Sequence, residues 1–421
     1  MRLSEKILKI LFYQNRIIKK DIISAQVHII EVLNNILKLG HAIIYADGDY
    51  HSFTAPSRNE VVPKESYQKS YWGEIKNFIS NLPFKGEALI FFYFLKEIKL
   101  FLSAFRTALR SKPDIIYRRH TIFNSEYILS RIFKIPCVRE VNGIVVDEYE
   151  MAKKGDAFSL WIMNHIEKYN LKKSDKYIVV TPRLKELLFN DYKLPHSKSV
   201  IVENGANTDL FVPMDTITSK KELNLDIKYS YLCFVGGLGV NYGVEYIISA
   251  MPLILKEFPD TKALIIGEGA SKNKFQNLSN QIGVSDKVIF TGAVSYEEVP
   301  LYINASEICL VPSTRSKRNL RIGISPLKLC EYLACEKPVI ATRMNGLEFI
   351  EEYNCGYLIN MEYPEELAKA IATLLNDPSS KKSMGENGRK YVLENRSWEI
   401  QTKKVAVICE NTINEQKKSR K

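Results

Sequence analysis

The sequence has none of the cysteine patterns that mark zinc sites or disulfide-bonded proteins. Its seven cysteines are scattered over 421 residues without a CxxC pair or a Cys/His cluster, and four lie in apolar runs: Cys137, Cys233, Cys309 and Cys330. We therefore expect reduced thiols in a core, no metal site and a cytoplasmic location. An HExxH motif and a Ser/His/Asp order are also missing, so no zinc-protease or triad-hydrolase site is expected.

Also lacking is an uncharged apolar stretch long enough to cross a bilayer. The most apolar segment, residues 88–105, is interrupted by Lys96, Glu97 and Lys99, which predicts an amphipathic helix. Such a helix packs on a core or, alternatively, offers a surface to lipid or to an amphiphilic acceptor. The first residues, MRLSEKILKILFYQ, predict a strand and not a signal peptide.

Positive charge, in contrast, is in excess. Lys and Arg number 59 against 48 Asp and Glu, which gives a net charge of +11. This balance favours anionic partners, such as nucleotide phosphates, nucleic acid or an anionic membrane surface, without choosing among them. The length is sufficient for two or three domains.

Short β-branched runs alternate with helical patterns throughout the chain. Apolar strands without polar alternation are typical of parallel sheets covered on both faces, and strand–helix alternation is typical of doubly wound sheets. We therefore predict an α/β protein with two Rossmann-like, doubly wound parallel-sheet domains facing a cleft. The predicted strands lie at 7–13, 42–46, 114–117, 137–141, 177–181 and 200–203 in the first half, and at 231–235, 263–267, 288–291, 308–312, 339–342 and 357–359 in the second.

A joint between the two domains is predicted where Asn, Gly and Pro cluster, in the segment ENGANTDLFVPM at 203–214. We assign residues 1–205 to an N-terminal Rossmann-like domain and residues 206–385 to a C-terminal one. Residues 386–421 are predicted to form C-terminal helices that pack back on the N-terminal domain, with a basic, frayed tail.

The segment RIGISPLKLCEYLACEKPVIA carries two charged residues inside an otherwise apolar helix. Ser325 and Pro326 predict its start, with Ser as N-cap and Pro at the first helical position. The free amides of a helix start bind anions, and Lys328 adds a positive charge there. Glu331, about one turn further, is suited to accept two hydrogen bonds from a sugar diol. The alternative is a surface i,i+3 pair between these two charges.

Two further patterns in the second half favour phosphate binding. The strand at 231–235 runs into a glycine-rich loop and then a helix, and glycines let backbone approach phosphate closely. The alternative there is a dinucleotide fingerprint. Four basic residues lie at 315–321, directly before the apolar part of the helical segment RIGISPLKLCEYLACEKPVIA. They either bind the phosphates of a ligand or belong to a solvated loop. The residues are Gly236, Gly237, Gly239 and Gly243 in the glycine loop, and Arg315, Lys317, Arg318 and Arg321 in the basic loop.

In the first half, polar residues lie at the ends of adjacent predicted strands, where parallel sheets bind their ligands. They are Arg118, Arg119, Glu140 and Asn142, and the alternative is a set of salt-linked loop residues. Ser24 and Ala25 are small residues that either admit a ligand or merely begin a helix. The triplet Asp47-Gly48-Asp49 follows the second strand, where a turn is more expected than a metal site.

Taken together, these stretches resemble the retaining nucleotide-sugar glycosyltransferases of family 4, glycosyl transferases group 1, which have the GT-B fold. GISPLKLCEYLACEKPVIA resembles the donor-site block of that family, and IVENGANTDLF resembles its interdomain segment. ALIIGEG, FTGAVSYEEV and PCVREVNG resemble three further family segments, in the family's order. The resemblance implies that Glu331 binds the donor ribose, that the diphosphate meets the helix start, and that Val294 and Glu268 contact the nucleobase. The helix-start residues are Ser325, Pro326, Leu327 and Lys328.

The sequence departs from the family pattern in three respects, at four positions. A second glutamate, often found eight residues before Glu331, is replaced by Gly323. The arginine and lysine that the family often places on the phosphates correspond to Gly237 and Tyr242, and a frequent acceptor-side histidine corresponds to Asn142. We expect Lys328 and the basic residues of 315–321 to supply the missing charge.

The resemblance implies a metal-independent, retaining, hexosyltransferase-type enzyme of cell-envelope or glycan biosynthesis. The nucleotide-diphosphate sugar is its co-substrate and no other cofactor is expected. The acceptor is a glycan, a lipid-linked molecule or a small molecule. The C-terminal domain would bind the donor, with Gly237, Gly239, Arg318 and Arg321 among its contacts, and the N-terminal domain the acceptor, with Ser24, Arg118 and Glu140. Catalytic roles fall to Lys328, Glu331 and Asn142.

As partners we expect the donor, the acceptor and an anionic membrane contacted peripherally at its inner face, but no nucleic acid. Two other functions stay open at this point. One is a non-catalytic GT-B subunit that binds sugar nucleotides or serves assembly, because the second glutamate is missing. The other is an NAD(P)-dependent Rossmann enzyme that uses the glycine loop.

Overall fold

The computed structural model describes residues 7–14, 24–47, 52–55, 85–151, 156–360 and 363–420. By its internal contacts the chain divides into two compact units. The first comprises Met1–Ile18, Ile29–Val202 and Thr402–Lys421, and the second comprises Lys19–His28 and Glu203–Gln401.

The first unit is built on a seven-stranded sheet with the strand order β3-β2-β1-β4-β5-β6-β7. Its strands are β1 (Lys9–Tyr13), β2 (Ala42–Ala46), β3 (Ser52–Ala55), β4 (Ile115–Arg119), β5 (Cys137–Val141), β6 (Lys176–Val179) and β7 (Ser199–Ile201). Neighbouring strands are parallel except β2 and β3, which pair antiparallel at one edge. Its helices are α1 (Ser24–Lys38), whose residues up to His28 belong to the second unit, α2 (Lys85–Ser111), α3 (Ser125–Phe133), α4 (Val145–Met151), α5 (Ala157–Leu171) and α6 (Pro182–Asn190).

The second unit is built on a six-stranded, all-parallel sheet with the order β10-β9-β8-β11-β12-β13. Its strands are β8 (Ser230–Val235), β9 (Thr261–Ile266), β10 (Val288–Gly292), β11 (Ile308–Val311), β12 (Val339–Thr342) and β13 (Gly356–Ile359). The helices are α7 (Thr216–Glu222), α8 (Val244–Glu257), α9 (Lys272–Gln281), α10 (Val299–Asn304), α11 (Lys317–Ile322), α12 (Leu327–Ala334), α13 (Phe349–Glu352), α14 (Pro364–Asn376), α15 (Pro378–Tyr391) and α16 (Trp398–Ser419).

Burial explains why the strands are apolar without alternation. The central strands β8, β9 and β11 bury both of their faces, one against each of two separate apolar clusters. Parallel strands covered on both sides have this property, because crossover helices lie on each face of the sheet. The predicted α/β class with two parallel sheets is confirmed, and each predicted strand has a counterpart in the structure.

The division into units lies close to the predicted joint, and the chain returns to the first unit at Thr402, within the C-terminal segment that was predicted to pack back on the N-terminal domain. The main segment of the second unit runs from Glu203 to Gln401, so that α16 starts in the second unit and continues in the first. Residue 206 pairs with residue 397 in an isolated β-bridge, and the amide of Trp398 donates to the carbonyl of Ala206 at 3.0 Å. A π-helical turn, Val392–Arg396, leads into this bridge. Among the described helices, none is long and apolar enough to cross a membrane.

Candidate active site

The candidate site lies in the second unit, where loops follow the carboxyl ends of its central strands. The strand order reverses direction at β8, which lies between β9 and β11, and ligands of open α/β sheets bind at such a switch point. Backbone hydrogen bonds join the loops after β8 and β9. The amide of Gly236 donates to Ile266, and Leu238 donates to Glu268 and accepts from Ser271, each at 2.9 Å.

Glycine is required at two points of these loops. Gly243 has φ +69°, and a Cβ there would lie 1.6 Å from the carbonyl oxygen of Pro312, which follows β11. Gly236 has φ +146°, and a Cβ there would lie 2.6 Å from Nζ of Lys328. The glycines therefore let the β8–α8 loop approach both β11 and the first turn of α12.

Helix α12 begins one residue later than predicted. Its N-cap is Pro326 and no side chain caps it, so Ser325 is not the N-cap. The amides of Leu327 and Lys328 have no acceptor among the described residues, because the first amides of a helix lack an intrahelical partner. Ser325 is instead held from outside the helix, since its Oγ accepts from the amide of Asn204 at 3.3 Å.

Lys328 occupies an aromatic setting at the same place. Its Nζ lies 3.8 Å from the ring centroid of Phe234 and 5.1 Å from that of Tyr242. Burial lowers the pKa of Lys328 to about 7, although the charge of Glu331 acts in the opposite direction. No ion pair to Lys328 is found within the described ranges, so the expected alternative of a surface Lys–Glu pair does not describe it. A cation next to an uncapped helix start is the arrangement that an anion site needs.

Glu331 lies on the same helix and is buried, with 5% of its surface exposed. Its Oε1 accepts a hydrogen bond from the hydroxyl of Tyr296 at 3.2 Å. Tyr296 and Val294 belong to the segment after β10, and both pack against the same apolar cluster as α12. The structure thus brings Glu331 together with the segment that the resemblance assigns to the nucleobase. Tyr296 was not among the predicted site residues.

The basic segment is helical and not a loop, which corrects the sequence interpretation. Lys317–Ile322 forms α11, capped by the Ser316 side chain, which accepts from the amide of Asn319 at 3.2 Å. Arg318 reaches Asn319 at 3.4 Å. The helix ends at Gly323 with φ +71° and ψ −176°, a conformation that only glycine adopts without strain. A glutamate at position 323 would therefore need a different backbone, which gives a physical reason for its absence.

The other predicted donor contacts also lie at these strand ends. Gly237 and Gly239 face the ring of Tyr242, because a Cβ on either would meet that ring at 3.4 and 3.7 Å. Glu268 is half-exposed after β9 and pairs with Lys272. A ligand group bound by Glu268 would therefore share this carboxylate with Lys272 of α9.

In the first unit, Arg118 is not available to a ligand in the way predicted. It is 1% exposed, and its NH1 group contacts Glu97 at 2.6 Å and Glu126 at 2.9 Å. Glu126 also pairs with the buried Arg139. This is the salt-linked alternative: two buried arginines and two buried carboxylates compensate one another, and Arg118 stabilises the unit.

Glu140, near the end of β5, and Asn142, directly after that strand, do lie together. The amide nitrogen of Asn142 donates to Oε1 of Glu140 at 2.6 Å, and the hydroxyl of Tyr117 donates to the other carboxylate oxygen. Ser24 is the first residue of α1, as predicted, while its side chain is outside the described residues. Asp47 is described and buried, but the other two residues of the Asp47-Gly48-Asp49 triplet lie outside the described ranges.

His120 and Glu167 were missed by the sequence reasoning. Nε2 of His120 lies 2.7 Å from Oε1 of Glu167, a carboxylate that also accepts from the amides of Val145 and Val146 at the start of α4. The amide of His120 donates to the carbonyl of Glu140 at 2.7 Å. The available signal was the position of His120 directly after β4; Glu167, in mid-helix and distant in sequence, offered none.

Both halves of the chain match known families. Residues 25–210 match the family described as Glycosyltransferase Family 4, and residues 215–391 match Glycosyl transferases group 1. The chain belongs to the family 4 glycosyltransferases. This family 4 glycosyltransferase is 24% identical over 354 residues to a D-inositol 3-phosphate glycosyltransferase of Corynebacterium diphtheriae. The alignment covers 80% of this chain and 78% of that protein.

Solved structures show the same GT-B fold. Sucrose-phosphate synthase from Thermosynechococcus elongatus aligns with a TM-score of 0.72 at 17% identity, covering 97% of this chain and all of that one. HepE of Anabaena, solved with UDP and glucose, aligns with a TM-score of 0.69 at 16% identity over 96% of this chain and all of that one. The GT-B prediction for this glycosyltransferase is confirmed.

Proposed function

We propose that this glycosyltransferase takes a sugar from a nucleotide-diphosphate donor bound in the second unit. The observation that carries the proposal is the arrangement around α12: two free amides and the ammonium of Lys328 at its start, and the buried Glu331 about one turn later. The amides and the ammonium suit a diphosphate, and the carboxylate suits a ribose diol. HepE, a structural neighbour, has been solved with UDP and with UDP-glucose, which supports a donor of this class.

We propose that transfer proceeds with retention and without a metal ion. The bond between the anomeric carbon and the diphosphate breaks, and the bond from that carbon to the acceptor oxygen forms on the same face of the sugar. The acceptor proton passes to the departing diphosphate. Lys328 and the α12 amides stabilise the negative charge that grows on the leaving group, which lowers the barrier electrostatically. Asn142 and Glu140 of the first unit are assigned to the acceptor, which is a glycan, a lipid-linked molecule or a small molecule.

A donor screen tests this proposal. The purified protein is heated with UDP, GDP, ADP or NAD(P), and the melting temperature is measured; nucleotide sugars are then supplied and products are detected by mass spectrometry. We expect stabilisation by one nucleoside diphosphate and transfer or slow hydrolysis of its sugar. Stabilisation by NAD(P) alone would point to a Rossmann oxidoreductase. Donor binding without any turnover would point to a non-catalytic binding subunit.

Glu331→Gln provides the matched variant for this screen. The amide keeps the size of the side chain but loses one hydrogen-bond acceptor, so we expect the donor KM to rise about tenfold, since a charge-assisted hydrogen bond contributes about 1.5–3 kcal/mol. Tyr296→Phe, which removes only the hydroxyl bonded to Glu331, is the control. An unchanged donor KM in Glu331→Gln would remove this residue from the site.

We also propose a peripheral contact of the cytoplasmic protein with an anionic membrane. Exposed apolar side chains of α2 recur on one helical face, and α5 exposes aromatic rings; the residues are Phe91, Phe94, Leu95, Ile98, Leu102, Phe158, Trp161 and Tyr169. The acids Glu97 and Glu167 of these helices are buried, whereas Arg106, Arg110 and Lys168 are exposed. Apolar and aromatic groups combined with exposed basic charge favour an anionic bilayer surface.

Sedimentation with vesicles tests the membrane contact. We expect binding to phosphatidylglycerol vesicles at low salt, weaker binding to phosphatidylcholine vesicles, and loss of binding in the double variant Phe158→Ser, Trp161→Ser. Leu393→Ser, which changes an exposed leucine of the second unit, is the control. Equal binding of the double variant and the parent protein would refute this surface.

A further inference from the structure

Asn204 makes four polar contacts within the second unit, and three of them converge on the start of α12. Its backbone amide donates to Oγ of Ser325 at 3.3 Å, and its side-chain amide donates to the carbonyl oxygen of Ser325 at 2.5 Å. Its own carbonyl oxygen lies 3.6 Å from Sγ of Cys330, on α12. Asn204 therefore holds both the residue before the helix N-cap and the helix itself.

The fourth contact fixes the orientation of the Asn204 side chain. Its Oδ1 lies 2.7 Å from Nδ1 of His28, a residue of α1 that is buried and belongs to the second unit. Since Nδ2 of Asn204 faces the carbonyl of Ser325, Oδ1 must be the atom that accepts, and the His28 ring donates from Nδ1. The ring of His28 packs edge-on against Trp398, with 4.9 Å between the ring centroids.

The backbone around Asn204 is held from the opposite side. Glu203 pairs with Arg396 at 2.7 Å, and the amide of Ala206 donates to the carbonyl of Arg396 at 2.9 Å. Gly205 has no room for a side chain, because a Cβ would lie 2.7 Å from that same carbonyl oxygen. Asn204 is thus anchored on one side and presents its side chain to Ser325 on the other.

This support matters because α12 has no side-chain cap of its own. Pro326 lacks a capping group, so nothing within the helix fixes the direction in which the free amides of Leu327 and Lys328 point. The position of Ser325 sets the entry of the chain into the helix. Its hydroxyl accepts from Asn204 and keeps its own proton available to donate to a phosphate oxygen.

We propose that Asn204, oriented by His28, is a positioning residue for the diphosphate of the donor. This inference rests on the proposed donor site. Asn204 places Ser325 and the α12 amides where the diphosphate binds, and His28 keeps the Asn204 amide in the required orientation. A residue of the first helix of the chain thereby completes the donor site of the second unit, and the nucleoside part of the donor is bound independently of this pair.

Calorimetry on the full-length protein tests the inference, with the nucleoside diphosphate found in the donor screen and its parent nucleoside as probes. In Asn204→Ala we expect the Kd of the diphosphate to rise at least tenfold while the Kd of the nucleoside changes less than twofold. Asn207→Ala changes an asparagine of the same segment whose Oδ1 accepts from the amides of Asp209 and Leu210 and not from the start of α12, and it should leave both values unchanged.

A pair of His28 variants separates positioning from a general structural role. His28→Phe keeps a ring against Trp398 but removes the hydrogen-bond donor Nδ1. It should weaken binding of the nucleoside diphosphate as Asn204→Ala does. His28→Asn places an amide donor near the position of Nδ1 and should restore at least half of the lost binding energy. A fall of diphosphate and nucleoside affinity by the same factor, or no rescue by His28→Asn, would overturn the inference. A parent protein that binds no nucleoside diphosphate would instead overturn the proposed function.

Discussion

Lys328 provides a positive charge close to two positions where the family often has basic residues for the phosphates and this chain has none. The positions where the family often has an arginine and a lysine hold Gly237 and Tyr242, and the ring of Tyr242 covers the ammonium of Lys328. The cation thus lies between two aromatic rings, partly removed from water, without a carboxylate in contact among the described residues. A cation in this setting gains from a diphosphate both the missing counter-charge and hydrogen bonds.

The pH dependence of donor binding should reveal this lysine. Burial lowers the pKa of Lys328 to about 7 in the free protein, and a bound diphosphate raises it, because an opposite charge favours the protonated form. The groups near Lys328 that act on this pKa are the carboxylate of Glu331 and the thiol of Cys233. The affinity for the nucleoside diphosphate should therefore be highest below pH 7 and fall as the pH rises above it. Calorimetry between pH 6.5 and 9 measures the slope.

Two substitutions control for other titrating groups. Lys328→Arg keeps its charge over this range, so the fall in affinity above pH 7 should disappear. Lys328→Met should bind about tenfold or more weakly below pH 7, and its difference from the parent protein should narrow as the pH rises and the lysine loses its proton. A slope that persists in Lys328→Arg would show that a different group titrates.

At this scale the sequence predicted which residues come together but not how they are held. Ser325, Lys328 and Glu331 share one helix start, and spacing alone places them there. Spacing cannot show that Ser325 is hydrogen-bonded to Asn204, which is 121 positions away, or that Lys328 lies between Phe234 and Tyr242. Such contacts depend on the packing of elements far apart in the sequence.

At the scale of the element, Gly243 joins the glycine loop to α8 against β11. Gly243→Ala adds a methyl group that would overlap the carbonyl of Pro312, so backbone must move at the switch point. We expect a loss of unfolding free energy clearly greater than the cost of the left-handed conformation, about 1–2 kcal/mol, and at least tenfold weaker binding of the nucleoside diphosphate. Urea unfolding and calorimetry measure the two effects.

Gly283 offers a matched control for this variant. It has φ +73°, almost the same backbone conformation as Gly243, but a Cβ there would meet nothing within 4 Å. Gly283→Ala should therefore cost about 1–2 kcal/mol and leave nucleotide binding unchanged. Equal losses in the two variants would mean that strain, and not the close approach to β11, makes Gly243 necessary.

Long, apolar elements were predictable and short or polar ones were not. The strand at Ala42–Ala46 was placed with its observed bounds because its residues are apolar throughout. The antiparallel edge strand Ser52–Ala55 has one large apolar residue in four, so it gives little signal. Lys317–Ile322 was interpreted as a loop, because a helix of less than two turns with three basic residues has too few apolar residues to show helical periodicity.

At the scale of the whole molecule, the two units have separate sheets, and we propose separate tasks for them. The boundary was predictable within a few residues, because Asn, Gly and Pro mark the joint at Glu203. A return of the chain was predicted with the C-terminal helices at 386–421, but its position at Thr402 was not, because Thr402 lies inside the continuous helix α16, where no breaker marks it. Since the proposed donor residues belong to one unit and the buried arginine network to the other, substitutions should separate stability from donor binding.

Arg118→Ala tests this separation. The substitution leaves the carboxylates of Glu97 and Glu126 buried without this partner, so we expect a loss of about 3–5 kcal/mol of unfolding free energy. At temperatures where the variant stays folded, calorimetry should give an unchanged Kd for the nucleoside diphosphate. Arg131→Ala removes an ion pair to Asp175 whose arginine side chain is 50% exposed, and should cost less than about 1 kcal/mol. If Arg118→Ala kept its stability but lost transfer to the acceptor, Arg118 would be an acceptor-binding residue, as the sequence pattern first indicated.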